Sequence, residues 1–254
     1  MKALWAVATN TFRETVRERV LYNLFFFAIV MIVCGVMLQQ ISIRQDEKII
    51  KDLGLAGIDL CGTLIAMFIG VGLVSKEIER RSLYPVLAKP LTRDEFLIGK
   101  FVGLCITLAV NVAGMTAAMA ATLWLTSGSP DVGLLKGVLA IYAGLVLTVA
   151  LALFFSSQSS AVVAAVCTFA VVLAGRYSDV ILNMGDVVSA LPVWMTRALY
   201  YALPNFRNFD IKNRVVYGDP VGWEALAWIA AYAASYSAVV LGLALASFRR
   251  RELQ

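Results

Sequence analysis

The segment KEIERRSLYPVLAKPLTRDEFLIGK, residues 76–100, is a charged island between two long apolar stretches. The chain as a whole is unusually apolar: 60% of its residues are hydrophobic, 15% are charged, and its mean hydropathy is +0.79. Soluble domains carry about 25% charged residues. The composition therefore predicts a membrane protein, and the island predicts a docking surface outside the bilayer.

Six apolar runs with few or no charges alternate with polar segments. A helix needs roughly 20 residues to cross a hydrocarbon core of about 30 Å, and most of the runs are that long. The fifth reaches only about 24 Å, so we expect it to tilt little or to end inside the outer leaflet. The runs are residues 20–41, 53–75, 96–126, 133–155, 160–175 and 223–248. We predict an all-α fold, a polytopic membrane protein with six transmembrane helices in one domain, residues 1–254.

An even number of spans places both termini on one side of the membrane. That side also holds the charged island, and these segments together carry the larger share of the 22 Lys and Arg residues. Positive residues favour the cytoplasmic side, so we expect both termini in the cytoplasm. The same topology accounts for the formal net charge of +5 without a nucleic-acid partner.

The first 19 residues predict a helix with one apolar face. Leu4, Ala8, Phe12 and Val16 fall four apart, and the charged residues lie on other faces. Two interpretations stay open at this point. One is a helix that lies in the cytoplasmic interface of the membrane, and the other is a solvated helical lead-in to the first span.

The island predicts a short cytoplasmic helix followed by a break. Residues 77–84 favour a helix, which Pro85 interrupts. Thr92 and Glu95 form a capping box that starts the next helix. A helix over residues 93–125 would be about 50 Å long, so its first turns should stand in the cytoplasm. The island either transmits a movement from a soluble partner to the spans or is a solvated loop that only fixes topology.

The segment 176–222 combines prolines with many aromatic residues and does not span the membrane. Short helices resting in the outer interface fit this composition, and so does an aromatic belt that merely anchors a loop. Asp59 and Arg176 lie near the ends of two spans. Each could line a pathway, but we expect each to stay hydrated or to snorkel.

Several catalytic signatures are missing from the sequence. The chain has no histidine, so it lacks the commonest metal ligand and general base. No GxxxxGK[ST] loop occurs, because the Gly99-Lys100 pair is followed by Phe101. We therefore expect that the chain is not an enzyme and does not hydrolyse ATP by itself.

The four cysteines are isolated from one another along the sequence. Cys34, Cys61, Cys105 and Cys167 fall in different spans and form no ligand spacing. Buried cysteine behaves as a small hydrophobe, so packing is the simple interpretation. The alternative is a soft-metal path for Cu(I) with nearby methionines, which no spacing supports. We predict no cofactor and no metal site.

The island and its surroundings resemble the signature of the permease subunits of ABC-2-type transporters. The nearest branch is the one labelled as multicopper-enzyme-maturation or nitrous-oxide-reductase accessory permeases. The similarity covers nearly the whole chain, including residues 10–14, 51–55 and 203–206. The residues that carry the signature are Glu77, Glu79, Arg81, Ser82, Leu83, Leu87, Pro90, Thr92, Arg93 and Lys100.

This resemblance implies a half-transporter of six helices that dimerises and binds a separate cytoplasmic P-loop ATPase, which holds the ATP. The loop between spans two and three would carry the coupling helix, and part of the segment 176–222 would close an outer gate. The residues that the resemblance assigns to ATPase coupling are Glu77, Glu79, Arg80, Arg81, Ser82, Pro90 and Arg93.

The resemblance thus implies the permease subunit of an ATP-driven exporter in the bacterial cytoplasmic (inner) membrane. The alternatives are a stand-alone secondary carrier or channel, and a non-transporting scaffold or assembly factor. The expected organisation is an interfacial helix at 1–19, spans one and two at 20–75, a cytoplasmic coupling region at 76–95, spans three to five at 96–175, an extracytoplasmic segment with short helices at 176–222, and span six with a cytoplasmic tail at 223–254.

Overall fold

The computed structural model describes residues 2–15, 26–34, 37, 46–79, 93–127, 133–180, 182 and 193–250. Within these ranges every regular element is a helix, which confirms the all-α prediction. The elements are α1 (Lys2–Thr15), α2 (residues 26–34), α3 (Asp46–Glu79), α4 (Arg93–Ser127), α5 (Gly133–Gln158), α6 (Ala161–Arg176), α7 (Val193–Ala202), a 3-10 turn (Phe206–Phe209), α8 (Lys212–Val216) and α9 (Trp223–Arg250).

Four of the described helices are long and apolar enough to cross a membrane. They are α3, α4, α5 and α9, and they match the predicted spans two, three, four and six. The predicted fifth span appears as α6, which has 16 residues. The predicted first span lies only partly within the described residues, as α2, so the count of six spans stays a prediction.

The helix α5 forms the centre of the bundle. It packs against α3, α4, α6 and α9, and 67% of its most apolar stretch is buried, against 28% for α9. Lipid tails are as apolar as leucine side chains, so this burial stabilises the bundle through close packing rather than through removal of apolar surface from water. The central helix therefore contacts all four of these helices, and α9 is the least buried of the four candidate spans.

The helix α1 packs directly against α4 at Gly103. A Cβ atom at that position would lie 2.7 Å from the carbonyl oxygen of Ala8 and 2.8 Å from the Cβ of Thr11, so only glycine permits this approach. Ala8 and Thr11 are buried, while Trp5 is exposed. The predicted helix is confirmed over residues 2–15, and Ala8, a member of the predicted apolar face, lies in this contact. The place of α1 in the membrane interface stays a prediction.

The helix α3 extends beyond the apolar run that ends at Ser75, and its backbone stays helical through Glu79. The first residues of the helix predicted over 77–84 are therefore helical and continuous with α3, and the predicted interruption at Pro85 stays a prediction. Residues 80–92, which include Arg80, Arg81, Ser82 and Pro90, lie outside the described residues. The predicted helix over 93–125 is confirmed as α4, which has 35 residues.

The contact between α1 and α4 can be tested with a glycine pair. Gly103→Ala should lower stability by about 1–3 kcal/mol, because the new methyl group meets the α1 backbone. Gly72→Ala, in α3, is the matched control, because a Cβ there meets no atom within 4 Å and should be neutral or slightly stabilising. The measurement is the apparent melting temperature in mild detergent. Equal melting temperatures for the two variants would contradict the packing of α1 on α4.

Candidate functional site

Three charged side chains from three helices meet at one point of the bundle. Asp59 lies within α3, Arg176 is the last residue of α6, and Lys212 is the first residue of α8. Arg176 donates from both terminal nitrogens to the two Asp59 carboxylate oxygens at 2.7 Å. Lys212 Nζ lies 2.8 Å from Asp59 Oδ2. One carboxylate therefore joins three separate elements.

Two further contacts orient this cluster. Thr63 lies one turn after Asp59 on the same face of α3, and its hydroxyl oxygen accepts a bond of 3.0 Å from Arg176 Nη2. Lys212 also lies 3.7 Å from Asp210, which balances its charge. The position of Arg176 is favourable in itself, because the C-terminus of a helix attracts a cation. The local sequence thus places each group where its charge is stabilised.

The cluster is costly to break because its groups are largely withdrawn from solvent. The side chains of Asp59 and Lys212 are 13% and 16% exposed. Removing one member of a buried ion pair leaves an uncompensated charge and costs about 3–5 kcal/mol. The lower end of that range applies here, because Arg176 is one-third exposed. The cluster can hold the short helix α8 against α3 and α6 while its charges stay paired.

A cavity of about 190 Å³ lies beside the cluster. Its polar wall includes Asp59, Arg176, Arg207 and Asp210, and its apolar floor includes Phe206 and Phe209. Arg207 pairs with Asp179. Asp59 and Arg176 pair with each other in the cluster, and Asp210 lies beside Lys212 of the cluster. The charged groups on this wall are therefore all paired with neighbouring side chains, so none of them presents an unpaired charge to the cavity.

The segment 203–221 docks onto the bundle beside the cavity. A Cβ atom at Gly175 would overlap the carbonyl oxygen of Pro204, so only glycine lets this segment lie against α6. The backbone N–H of Asn205 donates to the Tyr232 hydroxyl at 2.9 Å, and Ser178 donates to the Asn205 side-chain oxygen at 3.1 Å. The end of α6, Ser178 just after it, and Tyr232 of α9 therefore hold the start of this segment, which we call the closing segment.

The short helices predicted between residues 176 and 222 are confirmed as α7, the 3-10 turn and α8. The aromatic residues divide into two groups. Phe206 and Phe209 are buried in the bundle, and their rings meet edge to face at 5.8 Å between centroids. Trp194, Tyr201 and Tyr217 are exposed. The segment is therefore a docked element and not only an aromatic anchor.

Sequence reasoning missed the meaning of the charged residues here. Asp59 and Arg176 were expected to stay hydrated separately, but the structure pairs them with each other, and Lys212 was not singled out. A usable signal was present, because a lone acid in an apolar run requires a partner, and a basic residue ends another apolar run.

The residues assigned to ATPase coupling are described only in part. The backbone at Glu77 and Glu79 forms the last turns of α3, and Arg93 begins α4. Arg80, Arg81, Ser82 and Pro90 lie outside the described residues. The contact of this set with an ATPase stays a prediction.

Metal-binding chemistry finds no support within the described ranges. No group of three or more His, Cys, Asp or Glu side chains there could hold a metal ion. The four cysteines are free and half-buried. Met31, Met67 and Met115, the methionines of the alternative Cu(I) path, are buried. The expected absence of a metal site stays a prediction.

The model of the family described as ABC-2 family transporter protein matches residues 5–253. The chain belongs to this family. It is therefore a permease of the ABC transporters: a multi-pass inner-membrane protein and a membrane component of transport that is not itself catalytic. No curated protein matches the chain.

The ion-pair cluster of this permease can be tested by removing one charge at a time. Asp59→Asn should lower stability by about 3 kcal/mol, because two cations lose their counter-ion. Lys212→Met should cost less, because Asp59 keeps its bidentate partner Arg176. Asp219→Asn, at an exposed position, is the control. The apparent melting temperature in mild detergent measures all three. A Lys212 effect larger than the Asp59 effect would show that the carboxylate is not the joining point.

Proposed function

We propose that the chain is the permease subunit of an ABC exporter, which dimerises and is driven by a separate cytoplasmic P-loop ATPase. The family match over nearly the whole chain carries this proposal. Such families couple ATP hydrolysis through the loop between spans two and three, which here is the charged island. ATP is bound by the partner subunit, and this chain holds no cofactor.

The helix α3 supports the proposal mechanically. It runs without a break from Asp59, in the ion-pair cluster, to Glu79, at the edge of the island. These residues are about 30 Å apart at 1.5 Å per residue, which is the thickness of the hydrocarbon core. One stiff helix thus joins the two functional regions across the membrane, and a push at one end reaches the other.

The proposed topology places both termini and the coupling region in the cytoplasm, with the closing segment on the extracytoplasmic side. The distribution of Lys and Arg supports this orientation. The length of α3 between Asp59 and Glu79, about 30 Å, is enough to separate the cluster from the island by one hydrocarbon core. A six-span count follows when both residues 20–41 and α6 cross the membrane, in addition to the four long apolar helices.

The proposed cycle has two states. In the closed state the Asp59 cluster holds the closing segment against α3, α5 and α6. Closure of the ATPases on ATP moves the coupling residues Glu77, Glu79, Arg80, Arg81 and Ser82, and α3 carries that movement to Asp59. The ion pairs separate, the closing segment lifts, and substrate leaves on the extracytoplasmic side. The sequence resembles the branch labelled as multicopper-enzyme-maturation or nitrous-oxide-reductase accessory permeases, and the proposal names no substrate, because no described residue indicates one.

A pull-down tests the partner first. The chain should recover a soluble P-loop ATPase from native bacterial membranes in mild detergent, and ATPase activity should be present in the eluate. Reversing the charges at Glu79 and Arg81 together should uncouple ATP hydrolysis from movement of the spans, because both positions lie on the proposed contact surface. The measurements are mass spectrometry and ATP hydrolysis of the eluate. Recovery of the chain alone would favour a secondary carrier or channel, and a partner without ATPase activity would favour a scaffold.

Opening of the closing segment can be followed without knowing the substrate. Thr148 lies in the cavity wall and is 1% exposed. Thr148→Cys, in a background without the four native cysteines, should react slowly with a membrane-impermeant maleimide at rest. The reaction should become faster when the partner hydrolyses ATP, because the cavity then opens to the extracytoplasmic side. The matched control adds the charge reversal of Glu79 and Arg81, which should abolish the increase. A reaction rate that ignores ATP would contradict the proposed gate.

A further inference from the structure

A second and quite different cavity lies on the outside of the bundle, between α5 and α9. Its volume is about 470 Å³, within the range of roughly 300–1,000 Å³ that ligand sites occupy. Small side chains on α9 create the hollow, since Ala227, Ala230 and Ala234 are exposed there. The groove is lined by Leu139, Tyr142, Ala143, Val146, Trp223, Leu226, Ala227, Ile229, Ala230, Ala233 and Ala234.

The lining of this groove suits hydrocarbon. Tyr142 contributes the main polar atom, and its hydroxyl already donates to the carbonyl oxygen of Cys105 at 3.0 Å. A polar ligand would find almost no hydrogen-bond partner there and would lose its hydration. The groove therefore selects an apolar chain.

The ammonium group of Lys136 lies at one end of the groove. Lys136 lies one turn before Leu139 on the same face of α5. Its Nζ donates to the carbonyl oxygen of Val221 at 2.7 Å and lies 5.0 Å from the centre of the Trp223 ring. An ammonium group has three donors, so two remain for an anion. Lysine and tryptophan together are typical of the level of lipid headgroups.

The length of the groove matches one leaflet of a bilayer. The starts of α5 and α9 lie together, because Lys136 in the first turn of α5 donates to the carbonyl oxygen of Val221, two residues before α9. Val146, at the far end of the lining, lies ten residues beyond Lys136, which is about 15 Å along a helix. Half of a hydrocarbon core of about 30 Å is the same distance. An acyl chain hanging from a headgroup at Lys136 would fill the groove to its end.

We propose that this groove binds one phospholipid, with its phosphate at Lys136 and one acyl chain between α5 and α9. The positive rim, the apolar walls and the leaflet-length depth all favour this occupant over a helix of a second copy, which would need no cation at the rim. Binding requires only that α5 and α9 cross the membrane, so it holds whichever substrate the permease carries. In the proposed topology the lipid belongs to the outer leaflet.

The test counts lipids on the purified permease by native mass spectrometry. Lipid-depleted protein is titrated with dioleoyl phosphatidylglycerol, and the wild type should bind one molecule tightly per protomer. Ala230→Phe fills the groove without overpacking the core, because Ala230 is exposed, and should weaken that binding at least tenfold. Ala246→Phe is the matched control: it makes the same change at an exposed position of α9 outside the groove, and binding should not change. If Ala230→Phe does not fold, Ala234→Phe makes the same comparison.

The headgroup contact is tested separately with Lys136→Gln. This change should weaken phosphatidylglycerol binding about fivefold, because one cation near the headgroup is lost. Binding of dioleoylglycerol, which has no phosphate, should stay the same. An equal effect on both lipids would overturn the phosphate contact. Equal binding in Ala230→Phe and Ala246→Phe would overturn the lipid site, and so would a change from dimer to monomer in Ala230→Phe with unchanged lipid binding, which would assign the groove to a second copy.

Discussion

The ion pairs that the Asp59 carboxylate makes with Arg176 and Lys212 are the interaction on which the docking of the short helix α8 depends. An ionised group inside an apolar bundle is costly unless it is paired and hydrogen-bonded, and here Arg176 and Lys212 satisfy both of its oxygens. These partners come from α6 and α8, which α3 would not otherwise hold so firmly. The cost of separating the charges holds the closing segment on the bundle, and in the proposed cycle it is the energy that a movement of α3 would have to supply.

The helices in the apolar runs were predictable from the sequence because periodicity is not needed to recognise a spanning helix. Length and hydropathy suffice, and they located α3, α4, α5 and α9 within a few residues. The short helices were predictable as a class from the mixture of prolines and aromatics. Their docking was not, because it depends on Gly175, Asn205 and Phe209 meeting partners that are distant in the chain.

The candidate site was predictable only in fragments. A single acid or base near the end of a span is compatible with hydration, so Asp59 and Arg176 carried little information separately. Their pairing across 117 positions of sequence is a property of the fold. The end of α3 shows the opposite case: residues 77–79 were predicted to be helical from their composition alone, and the structure continues α3 through them to Glu79.

The helix α1 can pack on Gly103 only after much of the chain has been synthesised. Gly103 leaves the ribosome about 95 residues after Ala8, which corresponds to roughly 5–20 s of synthesis. During that time the N-terminal helix has no α4 to pack against. The apolar side chains of Leu4 and Phe12 would hold it at the bilayer surface in the interval, as amphipathic helices are held. The apolar face would serve the helix before α4 is made, and Ala8 on that face, together with Thr11, forms the contact with Gly103 in the folded chain.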